Sequence, residues 1–204
     1  MIWQCIRFLE QSKEGTYMLG LPEEEQYRLL WVKYGLSEEK AKEFKSKGFS
    51  YYDLDKGSMY AYVAQRPLEE VLELRRDNPW MKIELLLHIT PQLLHDRDLL
   101  RRAECAEKWW GVKSDLVYRK FMEGYPIHYI RMAFIISQHS SMSVEEILEK
   151  RKRSVQWAVW AQENLGIAPD DLKRWIKEMP NPSVPRKPKE TLVNCAAGIA
   201  NEQA

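Results

Sequence analysis

The stretch PLEEVLELRR fills residues 67–76, and 76 positions later SVEEILEKRK fills residues 143–152. In both copies the apolar residues are spaced by three and four positions, as in a helix that buries one face. The adjacent glutamates fall in the first turn, where unpaired backbone N–H groups favour carboxylates. Ser143 and Glu146 have the spacing of a capping box. The chain therefore predicts the same acid-headed, half-buried helix twice.

Several other anchors repeat at this offset or slip from it by a few residues. The pairs are Gly35 with Gly111, Gly48 with Gly124, Arg75 with Arg151, YVAQ at 62–65 with IISQ at 135–138, Trp80 with Trp157, and ITP at 89–91 with IAP at 167–169. Self-similarity at a fixed period is the signature of a duplicated structural unit. We therefore predict two tandem, divergent helical repeat units at 35–110 and 111–179.

The segments between these anchors carry helix start and stop signals. Ser or Pro opens most of them and glycine closes several, whereas alternating strands bounded by hairpin turns are not found. These signals predict an all-α protein of about a dozen short helices packed as one body. A long helix from Thr90 is expected to bridge the units. Residues 1–34 are predicted to be an N-terminal helical segment, and the Pro- and Lys-rich residues 180–204 a flexible tail.

Composition limits the partners and the compartment. The net charge is +1, so no global positive charge draws the chain to nucleic acid or anionic membranes. Cys5, Cys105 and Cys195 lie far apart without a CxxC, which argues against a disulfide framework or a zinc knuckle and favours a reducing cytoplasm. The start lacks the pattern of a signal peptide, and no apolar run reaches the roughly 18 residues of a membrane span. We therefore predict a cytoplasmic protein without membrane contact.

The second copy has a recurring form: a Gly-aromatic pair at 124–125, the acid-headed stretch from Ser143, Trp157, and LGI at 165–167. This form resembles a segment of poorly characterised bacterial proteins, many of them from Firmicutes. The copy at 48–89 is more divergent and has His88 in place of the closing glycine. The resemblance covers about half of the chain. It implies a small helical module and a bacterial source, and no assigned activity.

Patterns for catalysis and metal binding are weak. His88, His95, Asp96, Asp98 and Cys105 are of ligand-forming types but lack the two-histidine spacing of a zinc helix. Neither a nucleophile motif nor a glycine-rich phosphate loop is found. The glutamate pairs are explained by their place at helix starts. We therefore predict no enzymatic activity, no metal and no cofactor.

Basic residues give the sharpest functional hypothesis. Residues 143–178 predict two helices joined by a short turn and followed by a third, which resembles a helix-turn-helix in outline. The candidate nucleic-acid contacts are Lys150, Arg151, Lys152, Arg153, Gln156, Lys173, Arg174 and Lys177. The alternative is that these cations complement the negative ends of their helices.

Tryptophans suggest a different kind of contact. Trp109 and Trp110 are adjacent on a helix, so their rings point in different directions, and we predict that they contribute to a partner contact. The other tryptophans are expected in the core. The sequence thus predicts a non-enzymatic interaction or adaptor module that binds another protein or a second copy of itself. A DNA-binding regulator is the alternative.

Overall fold

A computed structural model describes residues 21–151 and 155–179 of the chain. These residues form eleven α-helices and no strand, which confirms the predicted all-α class. The helices are α1 (Glu23–Tyr34), α2 (Glu38–Ser46), α3 (Tyr51–Ala64), α4 (Leu68–Asp77), α5 (Trp80–Leu86), α6 (Pro91–Trp110), α7 (Ser114–Met122), α8 (Ile127–Ser137), α9 (Val144–Lys150), α10 (Trp157–Leu165) and α11 (Pro169–Glu178). The predicted tail at 180–204, and residues 1–20 of the predicted N-terminal segment, lie outside the described residues.

Side-chain caps begin two of the helices in the predicted way. The Ser143 hydroxyl accepts a hydrogen bond from the Glu146 backbone N–H at 3.2 Å, and the Glu146 carboxylate accepts one from the Ser143 N–H at 2.8 Å. The predicted capping box is thereby confirmed, and Ser50 and Asp53 form a second one at α3. Reciprocal caps of this kind satisfy two otherwise unpaired donors and fix where a helix begins.

Helix boundaries follow the offset found in the sequence. α2 begins at Glu38 and α7 at Ser114, 76 residues later, and both have nine residues. The starts of α3 and α8, and those of α4 and α9, are separated by the same 76 residues. The duplication stays a prediction, and these shared boundaries support it.

The acid-headed helices are buried along the predicted stripe. Val71 and Leu72 of α4 are buried, as are Ile147 and Leu148 of α9. Each of these helices ends in an arginine that lies against the tryptophan beginning the next helix. The Arg75 guanidinium carbon is 5.3 Å from the Trp80 ring centroid, and the second copy of this contact is closer.

Arg151 is the arginine of the second contact and is only 7% exposed. Its guanidinium carbon lies 4.0 Å from the Trp157 ring centroid and 4.8 Å from that of Tyr129, and it donates to the Val155 carbonyl. A guanidinium retains its charge under burial, and it stacks well on aromatic rings. Arg151 therefore packs at the joint between α9 and α10, with its charge facing rings.

Three groups of buried side chains hold the helices together. The largest is built from α6 to α11 and contains Ile136 and Ile147. A second is enclosed by α1 to α4 around Leu30 and Leu54, and a third surrounds Ile83 between α3 and α6. The 20-residue helix α6 packs against α1 and α3 as well as against α7. In the part of the chain that the structure describes, no helix is long and apolar enough to cross a bilayer.

Replacing Arg151 with alanine is expected to lower the free energy of unfolding by about 2–3 kcal/mol, because a buried, ring-stacked cation and its packing are lost. Urea denaturation monitored by circular dichroism measures the change. Lys150→Ala is the matched control: this neighbouring lysine is exposed, so the change should stay within about 0.5 kcal/mol. Equal effects of the two substitutions would contradict the structural role of Arg151.

A backbone difference between the units yields a second prediction. His88 follows α5 with φ of 54°, in the left-handed region, where the second unit has Gly166 with φ of 68°. A side chain in this region is strained, whereas glycine is not. His88→Gly should therefore raise the free energy of unfolding by up to about 1 kcal/mol, and Gly166→Ala should lower it by about 1–2 kcal/mol. A destabilising His88→Gly would show that the imidazole makes a compensating contact.

Candidate functional site

A cleft of about 540 Å³ opens where α1 ends, between α3, α4 and α6. It is called the first cleft below. Its apolar lining consists of Val32, Leu36, Phe44, Ala61 and Leu68. Its charged lining has five cations and two anions: Lys33, Lys40, Arg66, Arg101 and Lys108, with Glu69 and Glu104. A concave surface that combines apolar side chains with a few polar groups is the usual form of a ligand site.

The last turn of α1 and the middle of α6 build one wall of the first cleft. The Cys105 thiol donates to the carbonyls of Val32 and Lys33, at 3.7 Å each. The Trp109 indole N–H donates to the Val32 carbonyl at 3.5 Å. Carbonyls at the C-terminal end of a helix have no partner within that helix. Donors from α6 supply those partners, and this holds α6 against α1.

Arg101 is the most enclosed cation of the first cleft, with a side chain 12% exposed. It pairs with Asp98 at 2.6 Å, and its guanidinium carbon is 5.1 Å from the Tyr34 ring centroid. Burial by itself would lower the pKa of Arg101, but Tyr34 and Asp98 outweigh it, so the pKa is raised. Among the described residues, its Nε atom has no hydrogen-bond partner. Arg101 is thus a permanent cation with an unused donor.

Ser58 adds a second unused donor to the same cleft. It lies on α3, lines the cleft and is 6% exposed, and no partner for its hydroxyl is found in the described part of the chain. A serine inside a helix commonly bonds to the carbonyl four residues earlier, and no such bond forms here. An unsatisfied buried hydroxyl costs about 1–3 kcal/mol, so this position is not optimised for stability.

The other cations of the first cleft differ in how they are paired. Lys33 pairs with Asp55 at 3.0 Å, and Lys40 pairs with Glu69 at 3.3 Å. Arg66 pairs with Glu70 at 3.6 Å, in an exposed contact that contributes little. The Lys108 ammonium instead lies over two indoles, those of Trp31 and Trp109, at 5.1 and 5.0 Å. The first cleft therefore keeps a positive lining after its internal ion pairs are counted.

A smaller cleft of about 240 Å³ occupies the corresponding place in the second unit. Trp109 and Trp110 line it, 76 residues after Lys33 and Tyr34 of the first cleft. His139 stacks on Trp175 within it, with ring centroids 3.7 Å apart. The predicted tryptophan pair is thus brought to one surface, which is called the second cleft below. It is filled by rings where the first cleft is open and basic.

The predicted nucleic-acid contacts are distributed over several environments. Lys150 and Gln156 are exposed, whereas Arg151 is buried against rings. On α11, Lys173 pairs with Asp170 at 3.0 Å, Arg174 pairs with Asp171 at 2.7 Å, and Lys177 is exposed. Lys152 and Arg153 lie outside the described residues. No described group of three His, Cys, Asp or Glu side chains is arranged to hold a metal ion.

Sequence reasoning did not identify Ser58 or Arg101. Both lie in ordinary helical positions, and the residues that meet at the first cleft are as much as 76 positions apart, from Val32 to Lys108. The available signal was the duplication: aligning the helix ends would have paired Lys33 and Tyr34 with the tryptophan pair. That comparison shows two equivalent surfaces with different chemistry.

Cys105 provides a direct chemical test of this geometry. Burial raises the pKa of its thiol, although the Arg101 and Lys108 cations oppose the shift. With Cys5 and Cys195 replaced by serine, the iodoacetamide reaction of Cys105 should be slow at neutral pH and should rise with a midpoint above the roughly 8.5 of a free cysteine. A stopped-time mass-spectrometric series across pH measures the midpoint. A midpoint at or below that of free cysteine would contradict the described burial.

The chain matches no protein-family model, no curated protein and no solved structure. The resemblance to bacterial helical segments therefore stays a prediction.

Proposed function

We propose that the protein is a non-enzymatic interaction module of the bacterial cytoplasm that binds another protein through the first cleft. The observation that carries this proposal is the contrast between two equivalent surfaces. The second unit fills its surface with Trp109, Trp110 and Trp175, which leaves about 240 Å³, whereas the first leaves about 540 Å³ open. Packing of the helical unit therefore does not demand an open, charged cleft, and ligand binding gives a reason for it.

Exposed apolar side chains elsewhere also support a protein partner. On α5, Met81 and Leu85 are each 73% exposed. The corresponding positions of α10, 77 residues later, are Ala158 and Gln162. Exposed apolar surface that the related helix does without is typical of proteins that bind other proteins. The proposed compartment rests on the pattern of cysteines and on the bacterial resemblance.

DNA binding through 143–178 has weaker support. Nucleic-acid affinity depends on cations that are free to replace the counterions of phosphates. Arg151 is committed to the α9–α10 joint, and two of the three cations on α11 pair with acids of the same helix. That helix carries Asp170, Asp171 and Glu178 against its three cations. The interaction role is accordingly the one we favour.

The proposed function is tested by affinity capture from a lysate of the encoding organism with three forms of the full chain. Arg66→Glu together with Lys108→Glu reverses two exposed charges of the first cleft. Lys150→Glu together with Lys177→Glu is the matched control for net charge. A genuine partner should fall by about tenfold or more with the cleft variant and stay unchanged with the control.

The opposite pattern would contradict the proposal. Partners that survive the cleft reversal but are lost with the control would place binding in the second unit. In the same series, a labelled DNA duplex at low salt should not bind the wild-type chain. Tight, salt-dependent binding that only the control variant abolishes would instead establish the DNA-binding alternative.

A further inference from the structure

We propose that the first cleft binds an acidic, partly apolar peptide segment and that Ser58 and Arg101 donate to one of its carboxylates. The inference rests on the proposed function and specifies the chemistry of the partner. It is carried by two unused buried donors in one concave surface, by the excess of cations around them, and by the apolar side chains beside them.

The two unused donors select a negatively charged acceptor. The Ser58 hydroxyl and the Arg101 Nε are buried and have no partner among the residues described. A carboxylate accepts several hydrogen bonds at once, and a bond to a guanidinium is among the stronger ones in proteins. A second cation, the Lys108 ammonium, lies on the same helix and over indole rings, with no acidic partner among the described ion pairs. One carboxylate can therefore satisfy groups that the fold leaves unsatisfied.

The remaining charges of the first cleft attract rather than repel such a segment. Its lining has five basic and two acidic residues, and the acids are engaged: Glu69 with Lys40, and Glu104 with the Tyr62 hydroxyl at 2.9 Å. A cleft lined by one sign of charge concentrates ligands of the other sign. A basic segment such as that around Lys187 would be repelled.

Apolar side chains distinguish a peptide from a free inorganic anion. Val32, Phe44 and Ala61 line the cleft and are buried. Phosphate or sulfate would gain nothing from these side chains, whereas a leucine or phenylalanine beside an acidic residue would bury apolar area against them. A volume of about 540 Å³ also lies within the usual range of ligand sites, roughly 300–1,000 Å³.

Ser58→Ala separates a ligand contact from a structural one. The hydroxyl is buried without a partner, so its removal should leave the thermal midpoint unchanged or raise it. If the hydroxyl binds a carboxylate, the same substitution should weaken acidic ligands by about fivefold to tenfold. Stability and affinity thus change in opposite directions, which no packing role for the hydroxyl would produce.

Binding is measured by fluorescence anisotropy with the full chain and a fluorescein-labelled peptide of alternating Glu and Leu. Matched peptides carry Gln or Lys in place of Glu. The Glu peptide should bind saturably, and the Gln and Lys peptides should bind at least about tenfold more weakly. Raising the salt concentration should weaken the Glu peptide. Bound peptide should also slow the alkylation of Cys105 in the Cys5→Ser, Cys195→Ser background.

Three results would overturn the inference. Equal binding of the Glu and Gln peptides would remove the role of charge. Displacement of the Glu peptide by millimolar inorganic phosphate or by duplex DNA would point to a phosphate ligand. No saturable binding of the Glu peptide up to millimolar concentration would exclude an acidic peptide site.

The affinity-capture series keeps these failures separate from failure of the proposed function. A partner lost with the Arg66→Glu, Lys108→Glu variant would leave the first cleft as a protein-binding surface, even if the Glu peptide failed to bind. Loss of both effects would overturn both proposals. Binding of the Glu peptide that is weakened by Ser58→Ala and by the double charge reversal, with thermal midpoints retained, is the result that supports the inference.

Discussion

Two backbone carbonyls at the end of α1 hold the arrangement of the first unit. Val32 and Lys33 leave carbonyl oxygens that no residue of their own helix can satisfy, and α6 supplies donors from Cys105 and Trp109. Because α6 also packs on α3 and α7, this one set of hydrogen bonds positions the helix that connects the two halves of the chain. The first cleft is the space left beside that contact, so its lining is fixed by the need to satisfy helix ends.

The arginine that closes each acid-headed helix solves the same problem at a different joint. Arg75 donates to the Asn78 carbonyl at 3.1 Å and pairs with Asp53 at 2.9 Å, in addition to its contact with Trp80. The Arg151 joint has Tyr129, 76 residues after Asp53, in place of the carboxylate. A guanidinium accepts either neighbour because it is both a fork of donors and a flat face for stacking. The joint is thereby kept while its electrostatics change.

Local features of the fold could be predicted from the sequence, and long-range ones could not. The Ser143 cap, the buried stripe through Ile147 and the all-α class follow from short-range patterns, since a helix is specified by residues a few positions apart. The burial of Arg151 was not predictable from a run of four basic residues, because a charge sequence does not tell which member meets a ring. Likewise, Ser58 and Arg101 acquire meaning only when α1, α3 and α6 meet.

Divergence between the two clefts bears on why the unsatisfied donors persist. In the second unit the equivalent surface is occupied by Trp109, Trp110 and a stacked His139–Trp175 pair, a solution in which apolar area is buried. A first unit selected for stability alone would fill its cleft in the same way and would replace Ser58 with an apolar residue, because an unpaired buried hydroxyl is a net cost. Polar groups that remain costly in the free protein become favourable when a ligand completes their hydrogen bonds. The instability of Ser58 is therefore best explained by a state of the molecule in which its hydroxyl is bonded, and a carboxylate is the group whose charge matches its neighbours.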